Sequence, residues 1–286
     1  MHANEKEVGT DRETILPEGQ RTETRALPQA TPRLLRALRT GLRLFWDRLG
    51  LILALNMTWA LGVSLVLAVA HWLPGTWPWP LRLLLLGVVG VSAVAWPASG
   101  IYYCVHLACA RQEVGYDALW KGMARFRGPA LQLGTIQCFM VTLFAANFWF
   151  YTRLGQGIGL IATLVCLYAF LFWLQMSALH FPLLIAQETG VFDEPGRMAK
   201  RGALAVVRRA FFLALGNPFY TLGLLGCIAG VTLVLFLTAV PFVLLWVGLV
   251  AALTTQAVRA LLVSYGILPQ EAQEEPVPDE KFRISN

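Results

Sequence analysis

The stretch AFFLALGNPFYTLGLLGCIAGVTLVLFLTAVPFVLLWVGLVAALTTQAV, residues 210–258, contains 49 residues without a single charge. At 1.5 Å per residue one helix of this length would measure roughly 73 Å, whereas the hydrocarbon core of a bilayer is about 30 Å thick. The stretch therefore has to cross a membrane twice. Pro241 marks the break, because proline is tolerated in the first turn of a helix but not in its interior. We expect a turn at 238–240 and a new span from about Pro241.

Four other uncharged stretches precede this one, and each is long enough for one transmembrane helix. They cover residues 49–81, 83–110, 128–152 and 154–187. Together with the two crossings in 210–258, they predict an all-α, polytopic integral membrane protein with six transmembrane helices arranged as three hairpins. The polar, proline-containing segments 1–32 and 269–286 are predicted to be disordered cytoplasmic tails on either side of a transmembrane domain at 33–268.

The composition excludes several classes of protein. Apolar residues make up 57% of the 286-residue chain and charged residues only 14%, against about 25% charged in a typical soluble domain. An ordinary soluble domain is therefore excluded. The net charge of +6 is dispersed over the segments between the spans and forms no recognition stripe, so we expect the lipid bilayer, and no nucleic acid, as a partner.

The distribution of Lys and Arg predicts the orientation of the chain. If the N-terminus is inside, the inner segments hold 21 of the 23 Lys and Arg residues, and the outer side keeps only Arg82 and Arg153. Cytoplasmic loops carry such an excess of positive charge. We therefore expect both termini to be cytoplasmic and the protein to be a multi-pass protein of the plasma (inner) membrane.

Charged side chains are missing from the middle of every predicted span. A charge there costs about 2.5–3.5 kcal/mol on insertion scales and usually marks a proton relay or an ion pathway. The chain also lacks HExxH, GxSxG and CxxC motifs. The sequence thus predicts no catalytic residue, no metal site and no cofactor, and we expect the protein not to be an enzyme.

Uncharged amides inside the spans are the candidates for a binding site. Asn56, Gln137 and Gln175 lie in predicted spans one, three and four. Such side chains seek hydrogen bonds between helices, and this role would make them structural. They would instead line a pocket for a small neutral polar solute if all three converged on one cavity. Both interpretations stay open at the level of sequence.

Three basic segments, at 33–48, 117–127 and 197–209, each precede an odd-numbered span and so meet the membrane on the same side. In the first, Leu35, Leu38, Leu42, Phe45 and Leu49 share one helical face, and the arginines share another. This pattern predicts an interfacial helix. We expect the three segments to form a collar that binds lipid headgroups or docks a partner. Its candidate residues are Arg36, Arg39, Arg43, Arg127 and Arg209.

Glycine and proline mark further positions within the spans. Gly223, Gly226 and Gly230 share a face of span five, which favours close packing inside the bundle or, alternatively, a homodimer seam. The sequence therefore leaves homo-oligomerisation open. Pro97 and Pro182 each remove a backbone hydrogen bond from a span, so we expect a kink or an unwound turn at both.

Four short motifs resemble those of the bacterial YesL-like family, a domain of unknown function (624). They are NMTW (56–59), WPASGIYY (96–103), ALHFPLLIA (178–186) and LALGNPFYTL (213–222), and the resemblance covers about residues 40–265. It implies a six-span bacterial membrane protein associated with carbohydrate uptake and utilisation, with an accessory, non-enzymatic role beside a sugar ABC transporter. The alternative is a facilitator of a small neutral polar solute, lined by the three amides.

Overall fold

The computed structural model describes residues 34–74, 76–154, 157–193, 201–238 and 240–269. Within these ranges the chain forms nine α-helices and one π-helical turn and contains no β-strand. The predicted tails 1–32 and 269–286 lie outside the described residues, apart from Pro269. The α-helices are α1 (Leu34–Asp47), α2 (Leu49–Trp72), α3 (Trp79–Gly90), α4 (Trp96–Cys109), α5 (Tyr116–Tyr151), α6 (Ile158–Glu188), α7 (Ala203–Gly216), α8 (Pro218–Leu237) and α9 (Val240–Ser264).

Six helical segments in the described ranges are long and apolar enough to cross a membrane, which confirms the predicted number. They are Leu49–Trp72, Leu84–Cys109, Tyr116–Tyr151, Ile158–Glu188, Pro218–Leu237 and Val243–Ser264. The long uncharged stretch at 210–258 is divided between α8, which ends at Leu237, and α9, which begins at Val240. The break predicted near Pro241 is therefore confirmed. The grouping into three hairpins stays a prediction.

The helical backbone is also interrupted at Asn217, within the long uncharged stretch, where the sequence predicted no break. Asn217 has φ −137° and ψ 59°, outside the helical region, and it separates α7 from α8. Pro218 follows in the first turn of α8, where its missing N–H costs no helical hydrogen bond. The fifth span consequently begins at Pro218, and the residues from Ala210 to Gly216 belong to the short helix α7.

The two prolines at which the sequence predicts a kink or an unwound turn, Pro97 and Pro182, differ from one another. A π-helical turn, Val91–Ala95, lies between α3 and α4 and immediately precedes Trp96 and Pro97. It is a local departure from α-helical geometry beside the proline at which the sequence predicts one. At Pro182, by contrast, α6 remains helical from Ile158 to Glu188. An unwound turn is thus present beside the first proline and not at the second.

Helix α9 is the central helix of the bundle. In the most apolar part of α9, 83% of the residues are buried inside the bundle, whereas in the other five candidate spans this share is 17–33%. The core lies mainly at one end, where α2, α5 and α8 begin and α4, α6 and α9 end. We call this the basic end, because among the described residues only Arg82 and Arg153 carry a positive charge at the opposite end. Away from it, the helices expose apolar side chains over much of their surface, as suits contact with lipid.

The glycine face of α8 is only partly used by the bundle. A Cβ atom on Gly223 would lie 2.7 Å from Leu34 Cδ2, so α1 packs closely against α8 at this point. At Gly226 and Gly230 a Cβ atom would meet no heavy atom of another described helix or loop within 4 Å. Packing inside the bundle therefore accounts for the first glycine, and the other two lie on an open face.

Candidate functional site

Asn56 is fully buried in the second turn of α2 and binds the central helix. Its Oδ1 accepts hydrogen bonds from the backbone N–H groups of Val247 (2.8 Å) and Gly248 (3.3 Å), and its Nδ2 donates to the carbonyl of Ile52 (2.8 Å). Gly248 makes this approach possible, since a Cβ there would lie 2.7 Å from Asn56 Nδ2. Asn56 therefore joins α2 to α9 through backbone atoms.

Gln137 lies at the interface of α5 and α6, where its Nε2 is 3.2 Å from Nδ1 of His180. The imidazole is fully buried and meets the ring of Trp173 edge-on, with 5.4 Å between ring centroids. Its other nitrogen, Nε2, has no hydrogen-bond partner among the described residues. If the amide donates to Nδ1, Nε2 carries the proton and is a buried N–H donor without an acceptor.

Gln175, which is 9% exposed, joins α6 to α8: Thr221 donates its hydroxyl to Oε1 of the amide at 3.2 Å. The three candidate amides thus bind three different helix pairs, and within the described ranges no hydrogen bond connects any two of them. Each contact is of the kind that holds membrane helices together. A single pocket lined by all three stays a prediction.

The five candidate arginines of the collar divide into two groups. Arg36, Arg39 and Arg43 are exposed on α1. The guanidinium groups of the other two lie over aromatic rings: Arg127 over Trp96, 5.3 Å from the ring centroid, and Arg209 over Phe192 at 4.2 Å. Such cation–π contacts hold a side chain against the protein surface. The collar is therefore not uniform: Arg127 is exposed like the three arginines of α1, whereas Arg209 is half-buried.

Gln187 at the end of α6 forms a polar clamp and is not among the site residues predicted from the sequence. Its side chain is 1% exposed, and its Oε1 accepts a hydrogen bond from Arg209 while its Nε2 donates to the carbonyl of Gly202 (3.3 Å). The following residue, Glu188, accepts a hydrogen bond from Arg125 of α5 at its carbonyl (3.1 Å). The clamp thus ties α6 to α7, beside a contact with α5.

The charge of Arg209 is retained in this clamp. Burial lowers the pKa of its guanidinium, and the nearby carboxylate of Asp193 opposes that shift. A guanidinium nevertheless remains protonated in proteins at neutral pH. A glutamine at the last position before a charged segment was the only signal in the sequence, and a span boundary explains such a residue equally well.

Replacing Arg209 tests the clamp. We expect Arg209→Gln to lower the free energy of unfolding by about 1–3 kcal/mol, because the buried amide of Gln187 loses its partner. The neighbouring Arg208 is exposed, so Arg208→Gln should change the free energy of unfolding by less than about 0.5 kcal/mol. Chemical unfolding in mild detergent measures both. Equal effects of the two substitutions would contradict the assignment of the clamp.

Among the residues that the structure describes, no group of three His, Cys, Asp or Glu side chains is arranged to bind a metal ion. All five cysteines are free thiols. The residues at the candidate site are therefore amides, hydroxyls, one imidazole and guanidinium groups. Hydrogen bonding and anion binding are the chemistry that such groups support.

Comparison with family models, curated proteins and solved structures gives no significant match to this chain.

Proposed function

We propose that this protein is a non-enzymatic accessory of a carbohydrate uptake or utilisation system in the plasma membrane, for example beside a sugar ABC transporter. The observation that carries this proposal is the use of the buried amides. Asn56 and Gln175 each bind another helix of the same bundle, which leaves them as structural contacts rather than solute ligands. The resemblance to the YesL-like family supplies the association with carbohydrates.

The proposed orientation has both termini in the cytoplasm. The asymmetry of 21 inner and 2 outer Lys and Arg residues supports it, since positive charge is retained on the cytoplasmic side. The basic end then faces the cytoplasm. The exposed Trp46 and Trp120 at this end are of the residue type that is enriched at a membrane–water interface.

A facilitator of small neutral polar solutes is the second candidate, and one observation favours it. Gln137 binds His180, whose Nε2 is buried without a partner among the described residues. An unsatisfied buried donor costs about 1–3 kcal/mol, and a polar solute that accepted its hydrogen bond would remove this cost. The facilitator would then use the α5–α6 interface rather than all three amides.

Solute flux through reconstituted protein separates the two candidates. In proteoliposomes we expect the purified protein to leave the rates of swelling in glycerol, ribose and glucose equal to those of protein-free vesicles. The physical reason is that amides engaged in helix contacts offer no continuous polar path. A faster rate that Gln137→Leu abolishes and that Gln132→Leu leaves intact would favour the facilitator, because Gln132 is exposed on the same helix.

The accessory role itself requires a measurement in native membranes. We expect deletion of the gene to reduce the uptake of a labelled sugar severalfold and the full-length chain to restore it. Uptake of an unrelated labelled amino acid is the control and should be unchanged. Unchanged uptake across a panel of sugars would contradict the accessory role.

A further inference from the structure

Helix α1 is fixed to the bundle by one face only. Ala37, Gly41 and Phe45 are its buried residues. A Cβ atom on Gly41 would lie 3.2 Å from both the carbonyl oxygen of Ala252 and the Cα of Leu253, so α1 lies almost in backbone contact with the central helix α9. The orientation of α1 about its own axis is thereby determined.

The rest of its circumference is exposed and carries two kinds of side chain. Leu35, Leu42 and Trp46 are 81%, 46% and 64% exposed, respectively, and they lie in one stripe, since residues 7 and 11 apart nearly coincide around a helix. Arg36 and Arg39 are exposed along one flank of that stripe. Arg43 lies on the same flank, and the only acidic residue of α1, Asp47, is its last one.

The position of α1 follows from the span that it leads into. Arg48, whose backbone (φ −123°, ψ 29°) lies outside the helical region, is the single residue between α1 and α2. Backbone hydrogen bonds from Arg48 N–H to the carbonyl of Leu44 (3.1 Å) and from Ile52 N–H to the carbonyl of Arg48 (3.0 Å) connect the two helices there. Because α1 leads directly into the candidate membrane span α2, an interfacial position of α1 would bring its exposed apolar stripe to acyl chains and its flanking guanidinium groups to headgroups.

We propose that α1 is a binding site for anionic phospholipid headgroups, contacted by Arg36 and Arg39 while Leu35, Leu42 and Trp46 enter the acyl-chain region. Guanidinium groups match phosphate oxygens in geometry and in charge. Zwitterionic lipids offer the same phosphate without net negative charge, so the electrostatic contribution selects for anionic lipid. This inference does not depend on the accessory role proposed above.

The other basic segments are less suited to this binding. The guanidinium of Arg209 is engaged with Gln187 and Phe192, and Arg127 lies over Trp96. Lys121 forms a 2.7 Å ion pair with Asp117. Helix α7 exposes Leu204, Phe212 and Leu215 beside a single exposed arginine, Arg208. Helix α1 combines its open apolar stripe with three exposed arginines on one flank.

The test measures binding of phosphatidylglycerol to the full-length protein in detergent, with phosphatidylcholine as the neutral lipid. Each arginine near an anionic surface contributes about 1 kcal/mol, so Arg36→Gln with Arg39→Gln should weaken phosphatidylglycerol binding roughly 10- to 30-fold. The lysine double variant at these positions should retain most of it. Lys121→Gln with Arg208→Gln removes two positive charges elsewhere at the basic end and should change the affinity less than about threefold.

A second readout locates the bound lipid without relying on charge. Phosphatidylglycerol with brominated acyl chains should quench tryptophan fluorescence of the wild type, and Trp46→Phe should remove part of that quenching. Equal affinity of the wild type for both lipids, or equal weakening by the two charge-removing variants, would overturn the proposal. So would unchanged lipid binding in the α1 variant together with loss of a co-purifying protein, because α1 would then be a protein-docking surface.

Discussion

We expect Gly248→Val to destabilise the helix bundle far more than a substitution on its lipid-facing surface does. A Cβ atom at this position would collide with Ile52 Cγ2 and lie 2.7 Å from Asn56 Nδ2. Valine would therefore separate α2 from α9 and deprive Asn56 of its two backbone donors. Overpacking costs about 1–3 kcal/mol, and an unpaired buried amide adds about 1–3 kcal/mol. Thermal unfolding in detergent micelles measures the loss.

Gly230→Val is the matched control for this experiment. A Cβ atom on Gly230 would meet no neighbouring atom within 4 Å among the residues that the structure describes, so valine there should leave the unfolding temperature nearly unchanged. A similar loss for both variants would show that valine destabilises these helices irrespective of the contact with Asn56. If Gly230→Val instead changes the mass of the particle in detergent, the open face of α8 is an interface between copies of the chain.

The second large expected effect is on the activity of reporters that measure the orientation of the chain in the membrane, where each fusion should be either fully active or silent. A reporter that is active only in the periplasm should be silent when fused after Asn286 and active when inserted near Gly75. The reason is the asymmetry of Lys and Arg, 21 against 2, which resists inversion of the whole chain.

A reporter that fluoresces only in the cytoplasm provides the complementary measurement at the same two positions. It should fluoresce after Asn286 and be dark near Gly75. The opposite pattern for both reporters would contradict the predicted topology. Activity of the periplasmic reporter at both positions would contradict the even number of crossings.

The length of each apolar stretch was sufficient to predict the number of spans. Bilayer thickness sets a nearly constant helix length, so the 49 uncharged residues at 210–258 had to contain two crossings, and the structure divides them at 237–240. The break at Asn217 could not be predicted in the same way. Run length carries no information about it, whereas Pro218 disfavours helical backbone at the residue before it. The hydrogen bond from Asn217 Nδ2 to the hydroxyl of Tyr265 (2.8 Å), a residue 48 positions away, adds a tertiary contact at the break.

In helix α1, hydrophobicity alone does not predict which residues contact the bundle and which are exposed. The sequence predicts an amphipathic helix, and the structure contains one at Leu34–Asp47. The predicted apolar face is nevertheless divided, with Phe45 buried against the bundle and Leu35 and Leu42 exposed. In a bilayer both lipid and protein are apolar surroundings, so leucine is compatible with either. The small residue Gly41 marks the contact with α9, because it permits close approach.

The sequence by itself determined the all-helical class, the six candidate spans and the candidate polar residues, because these depend on local composition and on run length. Only the tertiary structure decided which partner each polar residue binds. Asn56 meets the backbone of α9, 191 residues further along the chain, and Gln137 meets an imidazole of α6. A buried amide hydrogen-bonds to whatever group lies opposite it, and the packing of helices distant in sequence determines what that group is.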